Sequence, residues 1–318
     1  MTDVTATRGQ PVAKGTGSIG EPVFEGLCFF AASALLASLI GVIVTLGVGG
    51  APAFQRFGIG FLTSTAWNPV TQVYGAAGPL VGTIVTSIVS LIIALPIAFG
   101  VAVFLVEICP QRVRAPIAAA VELLAGIPSI VYGMFGLFVF APWFTQHVQL
   151  PLMMGAPSGS LWEAMTSGIP NGANIFSASI ILALMILPFI SAMLRELLLT
   201  VPPQMRESAY GLGSSTAEVV LNVSLPFIAK GAVGAVMLGL GRALGETMAV
   251  TFIIGNSHRL PDSIFASGST IASTIASEFA ESEGMHTASL LALGLVLFLL
   301  TFVILALARM LIGSSKAV

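Results

Sequence analysis

Charged residues are scarce in this chain of 318 residues. Asp, Glu, Lys and Arg together make up 8% of it, whereas soluble globular domains carry about 25%. Hydrophobic residues make up 56%, and the mean hydropathy is +1.00. This composition excludes a soluble globular protein and predicts an integral membrane protein. The formal net charge of −2 provides no basic field that would attract nucleic acid.

Motifs for nucleotides, metals and catalysis are also missing. The sequence contains no Gly-Lys dipeptide, so it has no P-loop to hold ATP. His147, His258 and His286 are dispersed, with no partner at metal-ligand spacing. Cys28 and Cys109 fall on the predicted cytoplasmic side, where we expect them to be reduced and unpaired. We therefore expect no catalytic site, no metal site and no cofactor bound by this chain.

Long apolar runs dominate what is present. Each is long enough to cross a hydrocarbon core of about 30 Å at 1.5 Å per residue. They predict an all-α bundle of six transmembrane helices within residues 27–312, flanked by tails at 1–26 and 313–318. The six predicted spans are Leu27–Val48, Pro79–Val106, Ile117–Phe144, Ile175–Leu194, Phe227–Asn256 and Thr287–Ala308 with an extension to Ile312.

The basic residues predict the orientation of these spans, because Lys and Arg collect in cytoplasmic loops. An arrangement with both termini inside leaves only Arg56 and Arg259 in outer loops, and Arg242 within a span. The outer loops are then residues 49–78, 145–174 and 257–286. The same arrangement places nine of the twelve basic residues inside: Arg8, Lys14, Arg112, Arg114, Arg195, Arg206, Lys230, Arg309 and Lys316.

A polar segment interrupts the apolar runs in the predicted cytoplasmic loop 195–226. Glu207, Ser208 and Ala209 are predicted to open a short helix, and Gly213 supplies the positive φ that ends it. A second short helix over about residues 216–222 then leads to Leu225 and Pro226, with Pro226 in the first turn of the next span.

This spacing of Glu, Gly and Leu-Pro resembles the EAA loop of the membrane subunits of ABC importers. The resemblance implies that Glu207, Ser208, Ala209, Gly213, Leu225 and Pro226 belong to a coupling loop that docks on a separate ATPase subunit. Ser208 replaces the usual second-position alanine, and Val223 replaces the usual isoleucine. The alternative is an ordinary cytoplasmic loop with two amphipathic helices.

The predicted fifth span carries two charges. Arg242 lies twelve residues beyond Lys230, or about 18 Å up the helix, and Glu246 follows one turn later on the same face. A charge at this depth costs about 2.5 to 3.5 kcal/mol on insertion scales, so neither residue is expected to face lipid. Arg242 would present N–H donors to a passing oxyanion, and Glu246 would offset its charge. The alternative is an internal ion pair that only fixes helix packing.

Proline interrupts the predicted third span. Pro128 lacks an N–H donor and crowds the carbonyl of Leu124, so the helix should kink or break near Gly126–Ser129. Broken helices are typical of transport sites, where Ser129 would offer a hydroxyl to an oxyanion. The alternative is a packing kink that touches no ligand.

Two strings carry a narrower resemblance: GLGRALGETMAVTFIIGN around Arg242 and ELLAGIPSIVYGMFG around Pro128. The first is similar to the corresponding helix of the PstC family of permease subunits from bacterial phosphate ABC importers, and the second is similar to the third-helix motif shared by phosphate permeases. The resemblance implies a type I importer fold in the inner membrane, with Arg242 and Glu246 on the phosphate path. It implies as partners a PstA-like second permease, a PstB-like ATPase pair that holds ATP and Mg²⁺, and a PstS-like binding protein outside.

Other functions remain open from the residues alone. A permease for another oxyanion, such as sulfate or molybdate, would share this composition. An autonomous ion-coupled carrier would use Arg242 and Glu246 as a charge relay, but it would have no need of an ATPase-docking loop. An intramembrane enzyme would need a cluster of His, Ser or Asp in the spans, and the sequence offers none. No repeat of 20 to 50 residues is visible.

Overall fold

The computed structural model describes residues 20–157 and 159–314, and it contains twelve helices there with only one isolated β-bridge. We number them in chain order: α1 Gly20–Phe57, α2 Gly60–Thr63, α3 Ala77–Ile108, α4 Gln111–Ala125, α5 Ser129–Met154, α6 Leu161–Thr166, α7 Ile175–Leu199, α8 Pro203–Gly211, α9 Thr216–Leu244, α10 Met248–Ile253, α11 Ile271–Glu278 and α12 Met285–Ser314.

Six of these helices are long and apolar enough to cross a membrane: α1, α3, α5, α7, α9 and α12. Their number confirms the predicted six-span, all-α architecture of a multi-pass membrane protein. The second, fourth and sixth spans lie close to the predicted runs. Helix α1 is longer than predicted at both ends, since it begins at Gly20 and ends at Phe57. Of the predicted tails, residues 20–26 belong to α1 and 313–314 to α12, and the remainder lies outside the described residues.

The third span was predicted wrongly. The sequence placed it at Ile117–Phe144, but the spanning helix α5 begins at Ser129 and ends at Met154. The residues before it form the separate helix α4. Pro128 explains the difference, because a proline cannot continue the helix: residues 126–128 are not helical, and a new helix begins at Ser129. Two π-helical segments within α5, Gly136–Phe140 and Thr145–Gln149, carry it beyond the predicted end.

The fifth span was also predicted wrongly. Instead of Phe227–Asn256, the structure has α9 ending at Leu244, a break at residues 245–247, and then α10. The predicted second loop helix is not separate, because it runs without interruption into this span as α9. A π-helical segment at Val220–Ser224 ends two residues before Pro226, and this wider turn accommodates a proline that lacks an N–H.

The chain divides into two compact units, residues 1–48 and 49–318. In the described part of the first unit, large side chains such as Phe29 and Leu35 are exposed, as a lipid-facing helix requires. The core of the second unit is centred on α7, whose side chains are buried on almost every turn, as at Ile181, Ile186 and Leu194. Helices α3, α9 and α10 also contribute to this core.

Candidate functional site

The helix break before α5 is closed by one side chain. Helix α4 ends at Ala125, and Pro128 has the extended backbone (φ −57°, ψ 137°) that precedes a new helix at Ser129. The Leu124 carbonyl accepts the N–H of Ile127 at 3.3 Å and the hydroxyl of Tyr132 at 2.9 Å. Tyr132 therefore joins the two helices across the break. Gly126 and Pro128 are exposed, and Ser129 is half-buried.

A second break lies at residues 245–247, and the helices that follow the two breaks pack side by side. Gly133 of α5 makes this close approach possible. A Cβ there would lie 2.9 Å from Cδ2 of Phe252 and 3.1 Å from both Cα of Ala249 and the carbonyl oxygen of Met248. The predicted Ser129 thus begins one of two contacting helices, and the predicted Glu246 lies just before the other.

Arg242 lies in the last turn of α9, exposed, with its guanidinium carbon 5.7 Å from the ring centroid of Phe189 on α7. Within the described residues, no carboxylate oxygen lies within 4.0 Å of the Arg242 guanidinium. An arginine held by an aromatic ring and not neutralised by a carboxylate retains its N–H donors for an anion.

Glu246 does not sit where the sequence predicted it. The prediction put it one helical turn beyond Arg242 on the same face, but Gly245 ends α9 and removes that geometry. Instead, Oε1 of Glu246 accepts the N–H of Ala249 at 3.2 Å, which caps the first turn of α10. The helix-packing ion pair between Arg242 and Glu246 is therefore absent from the described part of the chain.

The predicted coupling loop contains the short helix α8 and the turn that ends it. Helix α8 begins at Pro203, four residues before Glu207, because a proline loses nothing at the first helical position. Gly213 has φ +89°, and its N–H bonds to the Tyr210 carbonyl at 2.9 Å while Ser214 bonds to Ala209 at 3.1 Å. These two bonds form a Schellman motif, so Gly213 ends α8 as predicted.

The exposed surface of this loop combines acidic and apolar side chains. Glu207 and Ser208 are exposed and Ala209 is half-buried, while Leu225 is half-buried and Pro226 exposed at the other end. Beside them, the apolar side chains of Met205, Tyr210 and Leu212 are also exposed. Such a surface suits a protein partner.

Helix α9 starts from a capping box that the sequence analysis missed. The Ser215 hydroxyl accepts the N–H of Glu218 at 3.4 Å, and the Glu218 carboxylate accepts the N–H of Ser215 at 2.7 Å. The spacing Ser-x-x-Glu is itself a helix-start signal and would have predicted this boundary.

Two ion pairs on the predicted cytoplasmic side were also missed. Glu107, which received no role from the sequence, lies 3.1 Å from Arg206, and its side chain is 6% exposed. Glu122 lies 2.7 Å from Arg195 and is 56% exposed. Each pair joins residues more than seventy positions apart (73 and 99), so no local pattern would have indicated either.

The histidines that look dispersed in the sequence are partly brought together. His258 Nε2 lies 2.7 Å from one carboxylate oxygen of Glu278, and His286 Nε2 lies 2.8 Å from the other. The indole N–H of Trp67 donates to Glu278 at 2.9 Å, and Tyr74 stacks on His286 with ring centroids 5.3 Å apart. Burial acts to raise the pKa of Glu278, but these hydrogen bonds outweigh it and hold the pKa below its usual value. In the described ranges, no group of three or more His, Cys, Asp or Glu side chains is arranged so that it could hold a metal ion.

Comparison with known proteins identifies the class and then the family. Residues 95–314 match the family model of binding-protein-dependent transport system inner membrane components. The fold is shared with a chain of a bacterial ABC transporter involved in import of the acidic polysaccharide alginate (TM-score 0.59, 14% identity, 93% of this chain and 100% of that one). It is also shared with a chain of the MetNI methionine ABC transporter (TM-score 0.51, 17% identity, 79% and 100%). The chain thus has the fold of an ABC importer membrane subunit.

Sequence relatives are more specific. The chain is 49% identical to the phosphate transport system permease protein PstC of Pasteurella multocida, over 92% of this chain and 91% of that protein. It is 46% identical to PstC of Haemophilus influenzae (93% and 94%) and 47% identical to PstC of Mesorhizobium japonicum (92% and 90%). The chain belongs to the PstC family of phosphate transport system permeases.

Proposed function

We propose that this chain is the permease subunit of an ATP-driven importer that moves inorganic phosphate across the bacterial inner membrane by alternating access. One observation carries the proposal: Arg242, in a chain nearly half identical to phosphate permeases, presents a guanidinium with no carboxylate partner in the described residues. Phosphate supplies the charge and the oxygen acceptors that such a fork of donors binds.

The two helix breaks support a substrate path at this place. Ser129 begins the helix after the first break and Glu246 lies within the second, and Gly126 and Pro128 would form a hinge or gate beside them. Phosphate entering next to Arg242 would find the Ser129 hydroxyl as a further donor. Backbone that departs from helix at membrane depth is tolerated where it lines a cavity that carries solute.

The partners follow from what one subunit lacks. Six spans form half of an ABC importer pore, so a second, PstA-like permease would complete it. A PstB-like ATPase pair would hold ATP and Mg²⁺ and dock on the coupling loop around Glu207. A PstS-like binding protein would deliver phosphate from outside. In support, a neighbour of the same fold is an alginate ABC transporter in complex with a substrate-bound periplasmic protein (TM-score 0.56).

Uptake by the reconstituted complex tests the substrate assignment. The chain would be assembled with its permease and ATPase partners in liposomes, with binding protein outside, and supplied with ATP and labelled phosphate, sulfate or molybdate. We expect ATP-dependent phosphate uptake that the other two oxyanions do not compete away. Uptake of sulfate or molybdate instead of phosphate would show that the chain is a permease for another oxyanion. Uptake by this chain without any ATPase would indicate an autonomous carrier.

The docking role has its own test in Glu207→Arg. Reversing an exposed charge in α8 should reduce the amount of ATPase that co-purifies while leaving membrane insertion intact, because the loop lies outside the spans. Glu281→Arg makes the same charge change at an exposed site on the predicted outer side and serves as the control. Equal ATPase recovery with both variants would contradict the docking assignment.

A further inference from the structure

The chain contains the same corner twice. Helix α3 ends in a turn through Cys109 and Pro110 that leads into α4, and α7 ends in a turn through Val201 and Pro202 that leads into α8. The two prolines have nearly identical backbones, with φ −57° and ψ 139° at Pro110 and φ −56° and ψ 132° at Pro202. We call these the α3–α4 corner and the α7–α8 corner.

An arginine closes each corner in the same way. Arg114 Nη2 donates to the carbonyls of Val106 at 2.9 Å and Cys109 at 3.3 Å. Arg206 Nη2 donates to the carbonyls of Leu198 at 3.1 Å and Val201 at 3.0 Å. In both corners, the guanidinium donates hydrogen bonds to carbonyls that are left free at a helix C-terminus, where a positive charge is also favourable.

The correspondence extends into the helices at a constant offset. Each residue of the α7–α8 corner lies 92 positions beyond its counterpart, as from 114 to 206. The pairs are Pro96 and Pro188, Val106 and Leu198, Cys109 and Val201, Pro110 and Pro202, and Arg114 and Arg206. The repeat is longer than 50 residues, and few identical residues mark it, so the structure reveals it more readily than the sequence does.

One buried ion pair joins the two corners. Besides its two carbonyls, Arg206 donates through Nη1 to Oε1 of Glu107 at 3.1 Å. Glu107 belongs to the last turn of α3, and the two side chains are 6% and 17% exposed. An exposed ion pair contributes little, whereas removing one partner of a shielded pair is strongly destabilising because it leaves an uncompensated charge.

We propose that the Glu107–Arg206 pair makes the two corners move as one body, so that movement of α8 reaches α4 and the helix break at Gly126–Pro128. The proposal rests on the docking role of α8 given above. Arg206 precedes Glu207 directly, and Glu107 is followed within four residues by α4, which ends at the break. Glu107 and Arg206 are thus positioning residues: they touch no phosphate, but they connect ATPase docking with the gate.

The test compares two neutralised carboxylates in the reconstituted complex. Glu107→Gln removes the buried charge and keeps the size of the side chain. Glu122→Gln does the same at the exposed pair with Arg195. The readout is phosphate transported per ATP hydrolysed, a ratio that loss of folded complex does not change. For Glu107→Gln we expect it to fall by a factor of about 2 to 30, the range for residues that carry coupling between sites. For Glu122→Gln we expect a change below about twofold.

A second readout makes the result independent of the substrate. In a variant with Cys28→Ser and Cys109→Ala, Ile130→Cys provides the one thiol of this subunit, at an exposed position in the first turn of α5, and its labelling rate is measured with and without ATP. We expect ATP to change this rate in the otherwise native complex and not after Glu107→Gln. An unchanged ratio and an unchanged ATP response in Glu107→Gln would overturn the inference. A complex whose thiol responds to ATP through Glu107 but which moves no phosphate would refute the proposed substrate alone.

Discussion

The hydroxyl of Tyr132 donates to the carbonyl oxygen of Leu124 across 2.9 Å, and this bond links α4 to α5 over the break at Gly126–Pro128. Pro128 has no N–H to donate to the Leu124 carbonyl four residues earlier, so the hydroxyl of Tyr132 donates to this carbonyl instead. The geometry of the break is therefore held by the side chain of Tyr132.

Replacing Tyr132 by Phe removes this bond while it keeps the ring. A neutral hydrogen bond contributes about 1 kcal/mol, so local opening should become about fivefold more frequent. Hydrogen exchange should then accelerate by that factor at the amides of Ile127 and Val131, which bond to Leu124 and Pro128. Tyr210→Phe, at an exposed tyrosine in α8, is the matched control. Equal exchange in both variants would mean that Tyr132 does not hold the break.

Two neighbouring glycines allow a matched test of the coupling loop. Neither Gly211 nor Gly213 has any atom within 4 Å of a Cβ added to it, so alanine meets no clash at either. Only Gly213 has a positive φ, +89°, and alanine there should lower the free energy of unfolding by about 1 kcal/mol. Gly211 lies in helix α8, where alanine should be neutral or raise that free energy by up to about 1 kcal/mol. Thermal unfolding of the purified variants measures both, and the same loss of stability in both would refute the Schellman assignment.

Acid should weaken the cluster around Glu278. Its pKa is held below the ordinary carboxyl value of 4.5, so the folded state favours the ionised form. The resulting stability is fully present above that value and is lost as the pH falls through the lowered pKa. The melting temperature should therefore drop below about pH 4.5. In Glu278→Gln this contribution should be absent, so the drop should be smaller. Glu281→Gln, at an exposed site nearby, should melt like the wild type at each pH. An equal drop in all three proteins would show that Glu278 contributes nothing to it.

Hydropathy and local motifs predicted the spans better than their interruptions. Six apolar runs gave six spanning helices, since length and composition alone determine which segments suit a bilayer. Pro128 predicted the first break, because a proline interrupts a helix wherever it stands in the helix interior. Gly245 did not predict the second break, since a single glycine is tolerated in an apolar helix and its effect depends on what packs around it.

Sequence patterns could not predict contacts between residues that are far apart in the chain. Glu107 and Arg206 are 99 positions apart, and each by itself looks like an ordinary interfacial charge. His258 and His286 meet only because Glu278 lies between them in the folded chain. Conversely, the predicted placement of Glu246 on the same helical face as Arg242 was wrong because it assumed a continuous helix where the chain breaks.

The most direct test of the account is phosphate uptake by the reconstituted complex carrying Arg242→Gln, at an ATPase content equal to that of the wild type. Loss of a charge-assisted contact of about 1.5 to 3 kcal/mol predicts uptake reduced by about 10- to 150-fold, with assembly preserved. Arg242→Lys should recover part of it, because it restores the charge without the planar fork. Wild-type uptake by Arg242→Gln would contradict the central claim and leave Arg242 as a residue that only packs against Phe189.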